Sequence, residues 1–382
     1  MKLIIGADIV ATQSNIPLFE NKRTEELFGE DLLNLIKGVD FRIFNCEAAL
    51  TDETKSIPKS GPSISAPTSV ISGFEAIEID LLTIGNNHIL DQGVEGLNST
   101  INVLDEHGIN YVGAGQDNAD ARRPFVFELD GKKIGVYACC ENEFSVATED
   151  TPGANGYNAL FSFDDVRELK TKVDYVIVLY HGGREHYRYP SPYLKLTCEK
   201  FVDYGADLVV TQHSHCIGCQ ELYHGKTIVY GQGNFLFEVK DNEYWKTGLL
   251  IEIEDLSRII YHPIIKNGNT VRLATGRTKD TIVSDFYERS RQIQEDTFVS
   301  EQYKTLAKKE LDRYLLMISG KNTGSFLYMI LNKLTGGKWE HYLAKRLYHG
   351  KKRLYVLNLL RCEAHRDAII TGLNSITSNT KK

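Results

Sequence analysis

The chain has 382 residues, of which 42% are hydrophobic and 25% are charged, and its formal net charge is −7. These values are close to the globular average, so they exclude a disordered, collagen-like or coiled-coil chain, and they give no reason to expect nucleic acid as a partner. The length favours one large domain with an appendage, or two domains.

The first two thirds of the chain alternates short β-like runs with stretches of helical spacing. Strands are predicted at Lys2–Ile9, Phe41–Asn45, Leu81–Ile84, Tyr111–Val112, Phe125–Leu129, Lys133–Ala138, Tyr175–Leu179, Leu208–Val210, Thr227–Tyr230, Leu249–Ile253 and Ile259–Pro263. Helices are predicted at Glu25–Ile36, Val94–Glu106, Phe163–Thr171 and Pro192–Tyr204. Continuous Val, Ile and Leu runs are typical of strands that helices cover on both faces. The sequence therefore predicts an α/β fold with mixed sheets.

The pattern changes after about residue 270, where helical spacing interrupted by glycines replaces the strands. Helices are predicted at Phe286–Leu316, Phe326–Leu334, Trp339–Leu347 and Leu354–Leu373. We therefore expect a first domain over residues 1–275 and a basic helical C-terminal region over residues 276–382.

Charge is distributed unevenly between the two parts. Residues 300–382 contain 16 Lys and Arg against 6 Asp and Glu, a balance of +10, which leaves −17 on residues 1–299. A basic amphipathic segment suits an anionic membrane surface or a polyanion. The other interpretation is a solvated face of a helical bundle.

Cysteine usage and the N-terminal segment bear on the compartment. Seven cysteines, an odd number in a long chain, favour reduced thiols and a cytoplasmic protein. The first apolar run is interpreted as a buried strand rather than a signal peptide, because Asp8 interrupts it. No window of 18 uninterrupted apolar residues occurs, so no membrane span is predicted, and the expected location is cytoplasmic or peripheral to the membrane.

Polar side chains of metal-binding type follow several predicted strands. They are Asp8, Asn45, Glu47, Asn86, Asn87, His88, His181, His213 and His215. In open α/β sheets, ligand sites form beyond the carboxyl ends of the strands. Two carboxylates, an Asn carbonyl and three histidines match a two-metal site for hydrolytic chemistry.

Each motif taken alone leaves a structural alternative open. His213 and His215 are two apart, so in an extended segment both rings face one side, but structural histidines are equally compatible with that spacing. Asp91 is three residues after His88 and could hold its ring in one tautomer, whereas a turn and helix-cap cluster is the other interpretation.

Six motifs in order resemble the CapA family of capsule and poly-γ-glutamate synthesis proteins, a branch of the calcineurin-like metallophosphoesterase superfamily. The motifs are Gly6–Asp8, Asn45–Glu47, Asn86–Asp91, His181–Glu185, Gln212–His215 and Gly231–Phe235, and the resemblance covers residues 1 to about 265. It implies a four-layer α/β/β/α sandwich of two mixed sheets with helices outside.

The resemblance also implies roles for individual residues. Asp8 and His215 would hold one metal, Asn87, His181 and His213 a second, and Glu47 would bridge them, with His88 as the proton donor or the partner of an oxyanion. Arg184 and His186, next to His181, are candidates for contact with an anionic substrate, and the other interpretation is that they are solvated loop residues. Glu185, in the matching motif, would orient a ligand or Arg184 and completes the candidate substrate-binding set. The superfamily has a His where this chain has Val10, and an Asp where it has Glu47. The implied cofactor is therefore one or two divalent ions of Mn, Fe or Zn.

Three functions are consistent with these residues. The first is a metal-dependent hydrolase, a phosphoesterase, serving capsule, surface-polysaccharide or poly-γ-glutamate synthesis, with an anionic small molecule or surface polymer as substrate. The second is a non-catalytic component of that machinery which binds metal or polymer. The third is a metal-dependent amide hydrolase. Other capsule-synthesis proteins and an anionic membrane surface are the expected partners.

Overall fold

The computed structural model describes residues 1–237, 242–321 and 323–379, so residues 322 and 380–382 of the predicted C-terminal region lie outside the described residues. The helices are α1 (Ile16–Glu20), α2 (Thr24–Phe28), α3 (Glu30–Lys37), α4 (Ile71–Ala76), α5 (Gly93–Glu106), α6 (Asn118–Ala121), α7 (Ser162–Lys170), α8 (Pro192–Asp203), α9 (Gly276–Gln292), α10 (Phe298–Ile318), α11 (Phe326–Leu334), α12 (Lys338–Leu347), α13 (Lys352–Arg361) and α14 (Glu363–Asn379). The strands are β1 (Lys2–Ile9), β2 (Phe41–Cys46), β3 (Ala49–Leu50), β4 (Ser65–Ala66), β5 (Leu81–Thr83), β6 (Asn110–Val112), β7 (Ala114–Gly115), β8 (Phe125–Leu129), β9 (Lys132–Cys140), β10 (Gly153–Ala154), β11 (Tyr175–His181), β12 (Leu208–Gln212), β13 (Ile217–Tyr223), β14 (Lys226–Gln232), β15 (Asn234–Leu236), β16 (Thr247–Glu254), β17 (Arg258–Asn267) and β18 (Thr270–Leu273).

Two mixed sheets dominate the described part of the chain. The first sheet has eight strands, in the order β18-β17-β16-β1-β2-β5-β6 with β15 also paired to β1. Its β1, β2, β5 and β6 run parallel, and β16 runs antiparallel to β1. The second sheet has six strands in the order β13-β14-β12-β11-β9-β8, of which β14, β12, β11 and β9 are parallel.

The alternation of side chains along the central strands produces four layers. In β1, Ile5 faces a core shared with the second sheet, whereas Ile4 faces a separate core formed with α3, α4 and α5. In β11, Ile177 belongs to the shared core and Val178 packs against α7 and α8. Since neighbouring strand residues point to opposite faces, both sheets are covered on both sides. The predicted α/β/β/α arrangement is confirmed.

The boundaries differ from the predictions where a backbone turn or a sheet edge intervenes. The helix predicted at Glu25–Ile36 is divided at Gly29, which has a positive φ of 73° and whose side-chain position is occupied by Arg272. The helix predicted at Phe286–Leu316 is interrupted between α9 and α10, and the one at Leu354–Leu373 breaks at Cys362. Strands β3, β4, β7, β10, β13, β15 and β18 were not predicted, and apart from β13 each has only two to four residues, too few to establish a period.

The chain separates into two compact units, Met1–Val299 and Ser300–Lys382. Helix α9, which the sequence assigned to the C-terminal region, belongs to the first unit because Phe286 is buried in the core between the sheets. The second unit consists of helices. Among the described residues, no helix is long and apolar enough to cross a membrane.

Gly6 allows β1 to lie against the aromatic ring of Phe44 in β2. A methyl group at this position would lie 2.1 Å from the ring atoms Cδ1 and Cε1 of Phe44. We expect Gly6→Ala to lower the free energy of unfolding by about 1–3 kcal/mol, the usual effect of overpacking a core. Chemical denaturation followed by fluorescence measures the change.

Gly372→Ala in α14 is the matched control, because a methyl group there meets no atom within 4 Å. Alanine is favoured over glycine in a helix, so this control should not lower stability. Wild-type stability in Gly6→Ala would contradict the close packing of β1 on Phe44.

Candidate metal centre

Six side chains of metal-binding type converge where strands of both sheets end. Their positions are Asp8 in β1, Glu47 directly after β2, Asn87 after β5, His181 at the end of β11, and His213 and His215 directly after β12. All six are buried, and each has at most 7% of its surface exposed. The first sheet therefore supplies the oxygen donors and the second sheet supplies the imidazoles.

The first group of donors surrounds the Nε2 atom of His181. This atom lies 3.1 Å from Asn87 Oδ1, 3.2 Å from His213 Nδ1 and 3.3 Å from Glu47 Oε1. Ligands that bind one ion through bonds of about 2.0–2.2 Å are separated by roughly these distances. Glu47, His181 and His213 could thus hold a metal ion, with the Asn87 carbonyl beside them.

The second group consists of Asp8, Glu47 and His215, whose potential ligand atoms lie within 4.8 Å of one another. Asp8 Oδ2 is 3.6 Å from His215 Nδ1, and Glu47 Oε1 is 3.9 Å from His215 Nε2. Glu47 is common to both groups. Its position is therefore the one that a bridging ligand would occupy.

Two asparagines orient these ligands. Asn45 donates from Nδ2 to Asp8 Oδ1 at 2.7 Å, and the same nitrogen lies 3.3 Å from His181 Nδ1. Asn234 accepts from His215 Nδ1 at 2.8 Å, which leaves Nε2 of that ring directed to Glu47 Oε1, 3.9 Å away. Asn45 and Asn234 thus hold ligand side chains in place, a role that their positions in the sequence motifs did not reveal.

The backbone at the second histidine motif adopts an uncommon conformation. His213 and His215 have positive φ values of 78° and 52°. Residues other than glycine rarely adopt this region, and where they do the conformation is commonly found at functional sites. The turn, rather than an extended segment, brings both rings into the same cluster.

The protonation of the cluster reflects a balance between burial and buried negative charge. Burial lowers the pKa of His215, but the charges of Glu47 and Asp8 outweigh it and raise the pKa to about 9. Burial likewise lowers the pKa of His181, and Glu47 reverses the effect, so its pKa is raised. Burial and the neighbouring His181 hold the pKa of His213 well below its ordinary value. Burial raises the pKa of Asp8, but His215 and His181 bring the net shift downwards.

The carboxylates provide the test of whether these residues suit a metal. Both oxygens of Glu47 and the Oδ2 atom of Asp8 are buried and accept no hydrogen bond. A buried carboxylate is costly unless a cation or hydrogen-bond donors compensate for it. Imidazole nitrogens and carboxylate oxygens are ligands that Mn, Fe and Zn accept. The donor set therefore fits divalent ions.

The resemblance implies a histidine at the position of Val10, and the structure shows the surroundings of the valine that stands there. Val10 is buried in a small apolar cluster with Ala48, Phe237 and Trp245. The Trp245 ring stacks on His215 with centroids 4.6 Å apart. The Asp8 group therefore has a single imidazole, and apolar side chains pack beside that ring.

His88 and Asp91 lie beside the donor groups and form a hydrogen-bonded pair. His88 Nδ1 is 2.6 Å from Asp91 Oδ2, and the His88 backbone N–H donates to Asn86 Oδ1 at 3.1 Å. Asp91 also accepts from the backbone N–H of Ile64 at 2.7 Å. The ring is thus held in one orientation.

Lys59 completes this arrangement and was missed by the sequence analysis. Its Nζ lies 2.5 Å from Asp91 Oδ1 and 3.4 Å from His88 Nδ1, and its side chain is only 4% exposed. The surrounding Ile-Pro-Lys-Ser-Gly-Pro segment has no periodicity, so a lysine there is naturally interpreted as a solvated loop residue. Its buried ion pair depends on the loop folding back over His88.

A cavity of about 1000 Å³ opens over the cluster. Its lining includes Asn87, His88, Glu185, His186 and His215. His186 is fixed there, because Trp245 Nε1 donates to its Nε2 at 2.8 Å.

The three predicted substrate contacts differ in their position. Glu185 is exposed and His186 is partly buried, and both line the cavity. Arg184 is partly buried and next to them in sequence, but it does not line that cavity. The structure thus brings two of the three to the cavity.

The profile of the family described as bacterial capsule synthesis protein PGA_cap matches residues 2–239. The capsule biosynthesis protein CapA of Bacillus anthracis is 27% identical over 212 residues, covering 53% of this chain and 52% of that protein. The PGA biosynthesis protein CapA of Bacillus subtilis (strain 168) is 28% identical over 211 residues, covering 54% of this chain and 51% of that protein.

The chain therefore spans about half the length of these curated relatives. Among solved structures, a phosphatase from Mycoplasma pneumoniae is similar with a TM-score of 0.43 and 17% sequence identity. That similarity covers 71% of this chain and 94% of the phosphatase.

Removing the carboxylate common to both donor groups should abolish metal binding. We expect Glu47→Gln to lower the affinity for Mn²⁺ or Zn²⁺ more than about 100-fold, since even the loss of a residue that only supports a ligand costs 10–100-fold. The metal-dependent rise in melting temperature should disappear with it. Elemental analysis of the dialysed protein and thermal melts with and without metal measure both effects.

Glu221→Gln is the control for loss of a buried carboxylate. Glu221 is paired with Lys195 and accepts from Tyr230, so this change should lower stability while the metal content stays at the wild-type level. Full metal occupancy in Glu47→Gln would contradict the assignment of the centre.

Metal binding should release protons, because a ring nitrogen that binds a cation must first be deprotonated. The raised pKa of His215, about 9, means that this ring is protonated at neutral pH and loses its proton as the pH rises through 9. The affinity for Zn²⁺ should therefore increase about tenfold per pH unit between pH 7 and 9 for each proton released. Calorimetric titrations in buffers of different ionisation enthalpy count the protons, and an affinity independent of pH would contradict the expectation.

Proposed function

The chain belongs to the family of bacterial capsule synthesis proteins PGA_cap, as its motifs predicted, and from this membership we propose that it is a metal-dependent hydrolase, a phosphoesterase, acting in capsule or poly-γ-glutamate synthesis. The observation that carries the proposal is a set of three buried carboxylate oxygens, from Asp8 and Glu47, that accept no hydrogen bond and lie beside three imidazoles and a cavity. The proposed substrate is an anionic small molecule or a surface polymer.

Asp8, Glu47, Asn87, His181, His213 and His215 are the proposed metal ligands. Divalent ions bound there would supply Lewis-acid activation of water and neutralise the charge of an anionic substrate. The chain contributes rigid donors, because Asn45 contacts Asp8 and His181, and Asn234 accepts from His215. The donor side chains are also buried, so the surrounding protein holds them in place.

His88 is the proposed proton donor to the leaving group. Asp91 holds its Nδ1, so Nε2 is the nitrogen available to a substrate in the cavity. Lys59 offsets the negative charge of Asp91 and positions the pair. General acid catalysis of this kind contributes about 10²–10⁴-fold to a rate.

Arg184, Glu185 and His186 remain the proposed substrate contacts. His186 is oriented by Trp245, and its ring stacks on Tyr244 with centroids 5.4 Å apart. Glu185 lines the same cavity. We assign an ionic contact with the anionic substrate to the guanidinium of Arg184, because Arg184 belongs to the motif His181–Glu185.

One observation favours the second candidate function, a non-catalytic component that binds metal or polymer. Val10 places an apolar side chain where another imidazole would stand, so the Asp8 group has one nitrogen ligand and two carboxylates. Carboxylate-rich sites hold divalent ions without necessarily activating a nucleophile.

The proposed partners are the other proteins of capsule synthesis, and the proposed location is the cytoplasm. Support for the compartment comes from the seven cysteines, all of which are unpaired. Six of them are buried. Reduced thiols of this kind are typical of proteins in a reducing compartment.

Substitution of His88 should separate chemistry from metal binding. In His88→Ala, turnover of bis(p-nitrophenyl) phosphate by the Mn²⁺-loaded protein should fall about 10²–10⁴-fold, while the metal content is unchanged, because His88 is not a proposed ligand. His224→Ala is the matched control, since the His224 side chain is 69% exposed, and it should retain full turnover.

Two results would contradict the proposal. If His88→Ala retained the turnover of the wild-type protein, His88 would not be the proton donor. A metal-loaded wild-type protein that hydrolyses neither the phosphodiester nor a γ-glutamyl amide would favour the non-catalytic function, and cleavage of the amide alone would favour amide hydrolysis.

A further inference from the structure

The second unit, Ser300–Lys382, exposes an unusual amount of apolar surface. Among the described residues, nineteen large apolar side chains are exposed between Leu311 and Ile376, whereas nine are exposed in the whole of residues 1–299. Contiguous exposed apolar surface of this kind marks an interaction site with protein or membrane.

Helix α11 directs its polar side inwards and its apolar side outwards. Tyr328 and Asn332 donate hydrogen bonds to the Glu340 carboxylate of α12, at 2.6 Å and 3.2 Å. The opposite side carries Leu327 and Leu334, which are 68% and 78% exposed. The half-buried polar side therefore packs against α12, whereas the apolar side is exposed.

Helices α13 and α14 expose further apolar side chains. Large apolar side chains are exposed on every side of α13, at Leu354, Tyr355, Leu357, Leu359 and Leu360. In α14 they form one stripe, at Ile369, Ile370, Leu373 and Ile376. Neither helix has a buried residue among those the structure describes.

Basic residues border the apolar ones. Lys351, Lys352 and Arg353 precede the apolar part of α13, Arg361 ends it, and the unit as a whole has a balance of +10. We propose that helices α11, α13 and α14 form a membrane-binding surface that lies in the headgroup region of an anionic lipid bilayer. Apolar side chains would enter the acyl boundary while the lysines and arginines contact lipid phosphates.

A lipid surface fits these helices better than a second copy of the chain. A second copy would cover these helices with its own apolar side chains through its second unit, but that unit carries the same balance of +10, so like charges would meet. An anionic bilayer supplies both the apolar interior and the opposite charge. Helix α13 exposes apolar residues on all sides, so a groove in a protein would cover only some of them, whereas the acyl region of a bilayer can surround them. This inference does not depend on the metal centre.

Vesicle flotation with the full chain tests the proposal. The protein should bind vesicles of phosphatidylcholine with phosphatidylglycerol and not vesicles of phosphatidylcholine alone, and binding should weaken with salt. Lys351→Gln/Lys352→Gln should reduce the partition coefficient roughly 30-fold, since each surface lysine contributes about fivefold. Leu327→Ser/Leu334→Ser should reduce it about tenfold or more.

Matched pairs on the first unit provide the controls. Lys132→Gln/Lys133→Gln removes the same charge from exposed positions, and Leu160→Ser/Leu222→Ser removes leucines that are 78% and 70% exposed. Both should bind anionic vesicles like the wild type. Helix content measured by circular dichroism establishes that each variant is folded.

Three outcomes would overturn the proposal. The first is equal binding of the protein to neutral and anionic vesicles. The second is a fall in the partition coefficient of the control variants as large as that of the test variants. The third is self-association of the protein, without vesicle binding, that Leu327→Ser/Leu334→Ser abolishes. The last result would instead assign the surface to a second copy of the chain.

Discussion

The centre of this protein is organised by two carboxylates that are buried without enough hydrogen bonds. Glu47 accepts none, and Asp8 accepts one, from Asn45. Because a buried negative charge is costly without compensation, the surrounding side chains must supply positive charge or bind a cation. His181 and His215 respond to this field with raised pKa values. The same field that protonates the metal-free rings would retain divalent ions.

This electrostatic arrangement exists only because two separate sheets are packed face to face. Asp8 lies in β1 and Glu47 follows β2. His181 is the last residue of β11, and the other two histidines follow β12. Buried amides connect the sheets across the shared core, since Gln212 donates to the Gly6 carbonyl and to Gln232. Gln232 in turn donates to the carbonyl of Ile5. The positions of the candidate ligands therefore depend on the packing of the sheets as much as on any local motif.

The sequence predicted the central elements well because their signal is local. Strand β1 and helix α11 have the predicted limits. Most other central strands begin and end within a few residues of their own predicted limits. Strand β15 was missed, because three residues carry no period, and it forms by pairing with β1. Six candidate ligands were identified from their places at strand ends, but sequence spacing did not reveal that His213 and His215 adopt positive φ angles.

The sequence by itself determined the inventory of the site, the order of its motifs and the contrast between an acidic body and a basic helical tail. Tertiary structure alone decided that Lys59 pairs with Asp91, that Trp245 packs in one apolar cluster with Val10, and that α11 turns its apolar side outwards. The physical reason is that periodicity reports which face of its own element a residue occupies. Contacts such as Asn45 with His181, 136 residues apart, form only when independent elements pack, and no local pattern encodes them.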